Sequence, residues 1–390
     1  MRRIRFIPEI EPLLRSRPTK YPVYSPEITR ADIRMVVDTL RDKWISVQAP
    51  IVGKFEGEFK KFIGSRNAIV CSSGTAAIEC SLRALNIGAG DEVIIPDFTF
   101  IQIANSVLRV GAKPVLIDST EGHPNMDLRL AEKKITVKTK AIIAVHTFGQ
   151  PLDRSVLEGL KARYRLFVIE DCAESMGSRY PGGQMVGSLG DTGCFSLYAN
   201  KLITAGEGGV ITTRSRKLGE LIREYRNHGY TKRYHFWHSI QGGNYKLSAM
   251  QVALAYSQLS RIQRLMKRKR LITRWYLKHL ADVKGIELLL LDASPDVLCW
   301  MFPVLLEESF PISRGRLRNY LAGRGIETRT FFYPLSLQPC LKNSCSSGNF
   351  PNSLRFGRMG LYLPSSPLLK EVDVRSICHH IVRLSRHKGC

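Results

Sequence analysis

The stretch 196–209 reads Ser-Leu-Tyr-Ala-Asn-Lys-Leu-Ile-Thr-Ala-Gly-Glu-Gly-Gly and joins two apolar segments, 194–197 and 209–213. Both segments have the composition of buried strands, so Lys201 lies in the loop between two predicted strands. Small, hydroxylated and glycine residues surround this lysine. Such an amine suits a covalent imine with an aldehyde cofactor, although a surface lysine in a glycine-rich turn shows the same local pattern.

Seven strand-like segments alternate with helical segments from about residue 54 onward. This alternation predicts an α/β fold with a mainly parallel seven-stranded sheet that is covered on both faces. In such sheets ligands bind at the carboxyl ends of the strands. The predicted strands are 68–71, 92–95, 114–117, 141–145, 166–169, 194–197 and 209–213, and the predicted helices are 75–85, 101–110, 128–134, 157–163 and 216–226.

The pattern changes after Leu247, where helical spacing from about 248 to 282 predicts one long helix. Segments around 297–305, 316–324 and 372–386 predict a smaller α+β unit. The stretch 338–351 is rich in Pro, Gly, Ser, Asn and Cys and predicts an exposed loop. We therefore expect three parts, namely a basic N-terminal extension (1–20), a large cofactor-binding domain (21–255) and a small C-terminal domain (256–390).

The chain is strongly basic, with 58 Lys and Arg against 34 Asp and Glu and a net charge of +24. Such charge concerns partners rather than fold. The basic residues concentrate at 2–20, 261–274 and 383–388. Nucleic acid, an anionic membrane surface or an anionic small substrate could each bind to such segments. Apolar residues recur at helical spacing within 261–274, which favours a solvated helix face there. We expect no specific nucleic-acid partner.

Composition also bears on the compartment. No apolar run approaches the ~20 residues that cross a bilayer, and no long apolar segment follows the basic start 1–5. The nine cysteines show no paired metal-ligand spacing, and Cys71, Cys80, Cys172 and Cys194 lie in apolar or small-residue segments. We expect a cytoplasmic protein with reduced, mostly buried thiols, no disulfide frame and no metal site.

Two more loops at the predicted sheet edge carry polar groups. The strand 68–71 runs into Ser-Ser-Gly-Thr-Ala (72–76) and then a helix, a pattern typical of a phosphate cup or of a simple N-cap. The strand 166–169 ends in Glu-Asp-Cys-Ala-Glu (170–174). Asp171 there could pair with a protonated pyridine nitrogen or serve as a turn acid.

Aromatic residues follow a third strand at this edge. Phe98 and Phe100 come after 92–95, where they could stack on a planar cofactor or pack in the core. Together with the phosphate cup, the acid and Lys201, they favour pyridoxal phosphate (PLP) as the cofactor.

These motifs resemble the DegT/DnrJ/StrS family of sugar aminotransferases, which have the aspartate-aminotransferase fold (fold type I) of PLP enzymes. The resemblance covers nearly the whole chain from about residue 21. The segments that carry it are 44–46, 72–76, 90–93, 146–150, 170–174, 196–209, 227–229, 243–247, 325–329, 332–335 and 363–366.

The resemblance implies catalytic roles for Lys201 and Asp171 and a cofactor-binding role for Glu174. Lys201 would hold the cofactor as an imine and then move the proton between the substrate's α-carbon and the cofactor. Asp171 would pair with the pyridinium nitrogen. Glu174 would lie near the ring hydroxyl or the substrate.

It also implies how the cofactor is bound. Gly74, Thr75 and Ser196 would hold the phosphate, and Phe100 would stack on the ring. Asn244 would reach the phosphate of a neighbouring subunit's cofactor, which implies a homodimer with shared active sites.

The matched motifs also imply a substrate. His146, Lys246 and Tyr333 would bind it, and the segments 325–329, 332–335 and 363–366 look most like the perosamine synthases of the family. Those enzymes move an amino group from glutamate to C4 of a GDP-linked 4-keto-6-deoxy sugar. Ser336 departs from this pattern, because a histidine is usual there and the position touches the predicted sugar pocket. Ala249 also departs, at a position that matters only for a helix cap.

Two alternatives remain on the same fold. One is a PLP-dependent sugar dehydratase, although enzymes of that branch carry histidine where this chain has Lys201. The other is a non-catalytic regulator that binds polyanions, which the net charge motivates.

Overall fold

A seven-stranded sheet forms the centre of the large domain. The computed structural model describes residues 19–231, 234, 236–290, 294, 296–346 and 348–386. The sheet has the order β1-β9-β8-β7-β6-β2-β3, and a separate two-stranded ribbon is formed by β4 and β5. These strands are β1 (Asn67–Cys71), β2 (Glu92–Pro96), β3 (Lys113–Ile117), β4 (Ser119–Thr120), β5 (His123–Met126), β6 (Thr139–Val145), β7 (Phe167–Asp171), β8 (Thr192–Ser196) and β9 (Gly209–Thr213).

The predicted fold class is confirmed. Only β9 runs antiparallel to its neighbours, β1 and β8, and the remaining strand pairs of the sheet are parallel. All seven predicted strands are present, with ends shifted by at most two residues. The carboxyl ends of β2, β6, β7 and β8 therefore share one edge, as expected for ligand binding in such sheets.

Helices cover both faces of the sheet. Side chains alternate along β1, so that Ile69 and Cys71 join one core cluster, and Ala68 and Val70 join another. The helices of the large domain are α1 (Arg30–Arg41), α2 (Pro50–Ile63), α3 (Gly74–Ala84), α4 (Gln102–Arg109), α5 (Leu128–Lys133), α6 (Arg154–Tyr164), α7 (Arg216–Arg226) and α8 (Ala249–Leu259).

The expected long helix after Leu247 is two helices. The first is α8, which Ser248 caps, and the second is α9 (Ile262–Leu280). At the break, Arg261 leaves helical geometry (φ −115°, ψ 19°), and its guanidinium donates to both carboxylate oxygens of the buried Asp32 at 2.6 Å. No Pro or Gly marks this position. The break follows from a contact with a distant helix, so helical periodicity alone could not reveal it.

The small domain is an α+β unit, as predicted. Its antiparallel sheet has the order β10-β11-β13-β12, and α9 packs against its last helix. The strands are β10 (Ile286–Glu287), β11 (Phe302–Leu306), β12 (Arg329–Thr330) and β13 (Gly360–Leu363), and the helices are α10 (Arg314–Ala322), α11 (Pro351–Met359) and α12 (Glu371–Arg386).

Two segments of the chain pack into the core of the domain other than the one in which the expected boundaries place them. Tyr21 is buried in the small-domain core and pairs with Ile326, so the chain enters the large domain only after this contact. The stretch 338–351 is not exposed throughout, because Leu341 and Phe350 are buried against the large-domain core. Its polar composition hides these two apolar anchors. The predicted N-terminal extension lies outside the described residues except for 19 and 20.

Cys71, Cys80, Cys172 and Cys194 are buried, as predicted. Among the described residues, none of the helices combines the length and the apolar composition that crossing a bilayer requires.

The ion pair at the helix break should carry measurable stability. We expect Asp32→Asn to lower the free energy of unfolding by about 3 kcal/mol, because it leaves the partly buried Arg261 without its opposite charge. Asp38→Asn on the same helix removes an exposed pair with Arg41 and should cost less than about 1 kcal/mol. Urea unfolding followed by circular dichroism measures both. An equal loss of unfolding free energy in the two variants would contradict a stabilising role for the Asp32–Arg261 ion pair.

Candidate active site

A pocket of about 430 Å³ opens at the carboxyl edge of the large sheet, where the small domain closes over it. The large domain contributes loops after β1, β2, β7 and β8, and the small domain contributes a second wall. Seven of the predicted site residues line it, namely Gly74, Thr75, Phe100, Asp171, Glu174, Ser196 and Lys201. The sheet therefore brings together side chains that are up to 127 positions apart in the sequence.

Lys201 lies in the loop between β8 and β9, as predicted. Its amide donates to the Tyr198 carbonyl and its carbonyl accepts from the Tyr24 hydroxyl, both at 2.9 Å. Burial lowers the pKa of Lys201 to about 8, against the opposing effect of Glu174 and Asp171. A lysine of this kind has a sizeable neutral fraction near neutral pH, which is the nucleophilic form.

Two carboxylates face this amine. Asp171 is the last residue of β7, and its Oδ1 accepts a hydrogen bond from the Ala173 amide at 2.9 Å. Burial raises the pKa of Asp171, while the Ala173 amide and Lys201 oppose the shift. Burial likewise raises the pKa of Glu174 to about 7, and its Oε2 accepts from the Phe148 amide at 2.9 Å. A cation placed beside Asp171 would stabilise its charged form.

The loop between β1 and α3 forms an anion cup. Ser73 caps α3 by accepting from the Ala76 amide, which leaves the first turn of the helix facing the pocket. Gly209 must lack a side chain, because a Cβ there would lie 2.4 Å from the Ser73 carbonyl oxygen. A Cβ on Gly74 would lie 3.2 Å from the Cβ of Ser196. Tight glycine packing therefore places Ser196 next to the helix start.

The two phenylalanines after β2 have different surroundings. Phe98 is fully buried and belongs to a ring cluster with Phe148 and Phe356, which is core packing. Phe100 is 53% exposed on the pocket wall and contacts Phe332. An accessible ring on the wall keeps Phe100 as the stacking candidate.

His146 does not line the pocket, and its role in substrate binding stays a prediction. The residue is fully buried. Its Nδ1 accepts from the Leu152 amide, so the ring proton is on Nε2, which donates to Glu170 Oε1 at 3.2 Å. Both nitrogens are satisfied by the protein. Its position one residue past β6 matched the motif, but the side chain points under the sheet edge.

The remaining predicted residues also lie outside the lining. Asn244 is exposed, and Lys246 Nζ lies 2.5 Å from His228 Nε2. Tyr333 is half-buried next to the lining residue Phe332. Ser336 was expected at the sugar pocket, but it does not line the pocket at the sheet edge. Its amide and its hydroxyl both donate to the Asp97 carboxylate.

Sequence reasoning missed the small-domain wall. Trp300, Arg329 and Tyr362 line the pocket, and Lys201 Nζ lies 3.6 Å from the centre of the Trp300 ring. Arg329 is the last residue of the segment 325–329, which carries the family resemblance but indicates no role for this side chain. No local pattern distinguishes Trp300, because only the closure of the small domain brings it to the site.

A cluster of possible metal ligands lies beside the pocket. One atom each of His146, Glu170 and Cys172 lies within 4.8 Å of the others. The Glu170 carboxylate already accepts from the amides at 187, 189 and 190 and from the Tyr180 hydroxyl. Burial raises the pKa of the Cys172 thiol. A saturated carboxylate and a protonated thiol are the properties of a structural network.

The lining fits PLP. Within the described residues, four buried polar atoms of the pocket wall have no hydrogen-bond partner: Gln102 Oε1, Thr147 Oγ1, Asn200 Oδ1 and Tyr362 Oη. Unpaired buried polar atoms in a cavity indicate a polar ligand. The helix start can hold a phosphate, Asp171 a ring nitrogen and Lys201 an aldehyde. Fold and site together define a PLP-dependent enzyme of fold type I.

Comparison with known proteins specifies the family. The sequence model of the DegT/DnrJ/EryC1/StrS aminotransferase family matches residues 26–382 of this chain. GDP-perosamine synthase of Escherichia coli is 36% identical, with 92% of this chain and 97% of that one covered. The enzyme of that name from Vibrio cholerae is 32% identical, with 92% and 98% covered. A candidate sugar aminotransferase of Streptococcus pneumoniae, solved in a PLP form, is 28% identical, with a TM-score of 0.87 and 93% and 98% covered. The chain belongs to the DegT/DnrJ/EryC1/StrS family and is a PLP-dependent aminotransferase.

Close packing at the anion cup predicts a defect in cofactor binding. We expect Gly209→Ala to raise the dissociation constant for PLP roughly tenfold or more, which corresponds to about 1.4 kcal/mol, because the new Cβ displaces the Ser73 carbonyl and with it the helix start. Gly53→Ala is the matched control, since a Cβ there meets no atom within 4 Å. Titration of the cofactor absorbance measures both. Unchanged affinity in Gly209→Ala would show that the cup does not hold the phosphate.

Proposed function

We propose that this aminotransferase moves an amino group from glutamate to the C4 keto carbon of a nucleotide-linked 4-keto-6-deoxyhexose. Lys201, Asp171 and Arg329 share one pocket, and this is the observation that carries the proposal. The names of the two relatives at 32% and 36% identity support the choice of a GDP-linked 4-keto sugar. The carbon, the nucleotide and the donor are parts of the proposal.

Each half of the reaction needs a proton moved at carbon. The cofactor, when bound, supplies an aldehyde that takes up the amino group and a ring that withdraws electrons from the reacting carbon. The negative charge of Asp171 would favour the protonated form of the ring nitrogen. Lys201, with its pKa of about 8, would carry the proton from the donor's α-carbon to the cofactor in the first half reaction and from the cofactor to the acceptor carbon in the second. Donor and acceptor use the same pocket in turn, so ping-pong kinetics are expected.

Arg329 suits the carboxylate of the donor. It lines the pocket, its side chain is 49% exposed, and its contact with Glu327 is loose at 3.4 Å. A guanidinium binds a carboxylate with two parallel hydrogen bonds, which fixes the direction of the α-carbon. Glutamate carries two carboxylates, and Arg329 can take one of them.

Two predicted site residues that lie outside the pocket, Asn244 and Lys246, support a dimer. Asn244 is exposed, and neither Asn244 nor Lys246 touches the pocket of its own chain. A role for them in binding a cofactor phosphate or a substrate therefore requires the pocket of a second copy. We propose a homodimer in which this segment of one subunit completes the site of its partner.

The two alternatives lose their motivation. A dehydratase of this fold uses histidine at the position where Lys201 lies in the pocket. A non-catalytic regulator does not require an amine, two carboxylates and an anion cup in one cavity, and the chain belongs to a family of enzymes.

The substrate is tested with a panel. The purified protein, with PLP and ¹⁵N-labelled glutamate, is mixed with nucleotide-linked 4-keto and 3-keto sugars, and products are identified by mass. We expect the heavy nitrogen to appear on a 4-keto-6-deoxyhexose, with the GDP-linked sugar preferred. Lys201→Ala should abolish the product and the bound absorbance band, whereas Lys133→Ala, at an exposed lysine, should change neither. Amination of 3-keto sugars alone, or of none, would overturn the proposal.

A further inference from the structure

One lysine of the basic helix α9 is buried. The apolar stripe of this helix includes Ile262, Leu265 and Ile272, and Lys269 lies among them with 3% of its surface exposed. A buried ammonium is costly unless it is hydrogen-bonded. Lys269 Nζ donates to the carbonyl oxygens of Trp300 (2.5 Å) and Ser365 (2.6 Å). Among the described residues no carboxylate pairs with it, so its charge is held by backbone dipoles.

These contacts fix Trp300 at two ends. Its carbonyl is held by Lys269, and its indole N–H donates to the carbonyl of Asn200 at 2.8 Å. Asn200 directly precedes Lys201. The indole is therefore tied to the loop that carries the reactive amine, and its ring lies 3.6 Å from Lys201 Nζ. In the described part of the chain no carboxylate oxygen comes within ion-pair distance of that amine, so the ring is its close partner.

We propose that the face of Trp300 stabilises the protonated form of the Lys201 side chain while the lysine is not bonded to the cofactor, and that Lys269 positions this ring. An indole face attracts a cation through its quadrupole, more strongly where water is excluded. During transamination Lys201 is free while the cofactor carries the amino group. The contact then keeps the released side chain beside the pocket and stabilises the ammonium that forms when the amine has taken up a proton, which is the form that acts as an acid.

The other groups around Lys201 also affect its titration. They come from every element packed against it, and they are Asp171 and Glu174 after β7, Tyr24 of the N-terminal segment, Lys269 on α9, Cys299 beside Trp300, Glu207 in the loop before β9, Arg329 on β12 and Tyr362 on β13. Asp171 and Glu174 favour the ammonium, and burial disfavours it. A test must therefore change the π face while leaving these groups in place.

Fluorinated tryptophans make that change. Successive ring fluorines weaken the quadrupole with little change in shape, so they reduce cation binding in steps. The full-length enzyme, with Trp44, Trp237 and Trp275 replaced by Phe, is produced with tryptophan or its mono-, di- and tetrafluoro forms. It is then loaded with pyridoxamine phosphate, the cofactor form that leaves Lys201 free. The readout is the pH midpoint for modification of Lys201 by trinitrobenzenesulfonate, measured by mass.

We expect the midpoint to fall in steps, by roughly 0.5 to 1.5 pH units across the series, because only the neutral amine reacts. The matched control keeps Trp275 and replaces Trp300 by Phe. Trp275 carries a similar contact, with Arg268, away from the pocket. Its fluorination should leave the Lys201 midpoint unchanged. A midpoint that does not move with fluorination of Trp300 overturns the proposal.

The positioning role of Lys269 has its own readout. In Lys269→Met the two carbonyls lose their donor, so we expect the fluorination series to lose most of its effect on the midpoint. This slope does not depend on the charge that the substitution removes. Lys278→Met, at an exposed lysine of the same helix, should keep the full slope. Lys269→Leu, which also lacks a donor, provides a second variant if Lys269→Met does not fold. An unchanged slope in a folded Lys269 variant shows that the residue serves stability alone.

The inference rests on the aminotransferase chemistry of the family and is independent of the identity of the sugar. Failure of the fluorination series leaves the proposed substrate intact. Failure of the sugar panel leaves the contact between Lys201 and Trp300 intact.

Discussion

The removal of one lysine and two carboxylates from water is the constraint on which the active site depends. Burial disfavours the charge of each group, so the pKa of Lys201 falls to about 8 and those of Asp171 and Glu174 rise. Lys201 opposes the shift of each carboxyl group and both carboxylates oppose the shift of Lys201, while the amides of Ala173 and Phe148 also favour the charged carboxylates. The same environment makes the amine reactive and leaves Asp171 ready to stabilise a cationic ring. The sheet supplies this environment, because its parallel strands end at one edge and the small domain closes over it.

The residues that could be predicted from the sequence are those in loops at the ends of parallel strands. Gly74, Phe100, Asp171 and Lys201 each follow a recognisable strand, and strands of one parallel sheet deliver such loops to one edge. Residues that depend on long-range packing escaped this reasoning. Trp300 reaches the pocket only through the docking of the small domain. The break before α9 arises from an ion pair with a helix more than 220 positions away.

Motif matching and pocket geometry gave different answers for residues one position past a strand. His146 follows β6 as Cys172 follows β7, and both turn under the sheet edge into a buried network around Glu170. Side chains of successive residues alternate between the faces of a strand, so an error of one position moves a residue from the pocket to its support. For this reason a matched motif located the loop correctly, although His146 itself lies outside the pocket lining.

The pocket itself does not explain the basic composition of the chain. Its lining contains two cations, Lys201 and Arg329, against Asp171, Glu174 and Glu207. Residues 256–390 contain 22 Lys and Arg against nine Asp and Glu, so the small domain carries +13 of the net +24. The charge of the lining therefore gives an anion little reason to bind there, whereas the amides at the start of α3 are donors directed at the pocket. A net positive charge elsewhere on a protein attracts anions over longer distances and does not decide which of them fits a pocket.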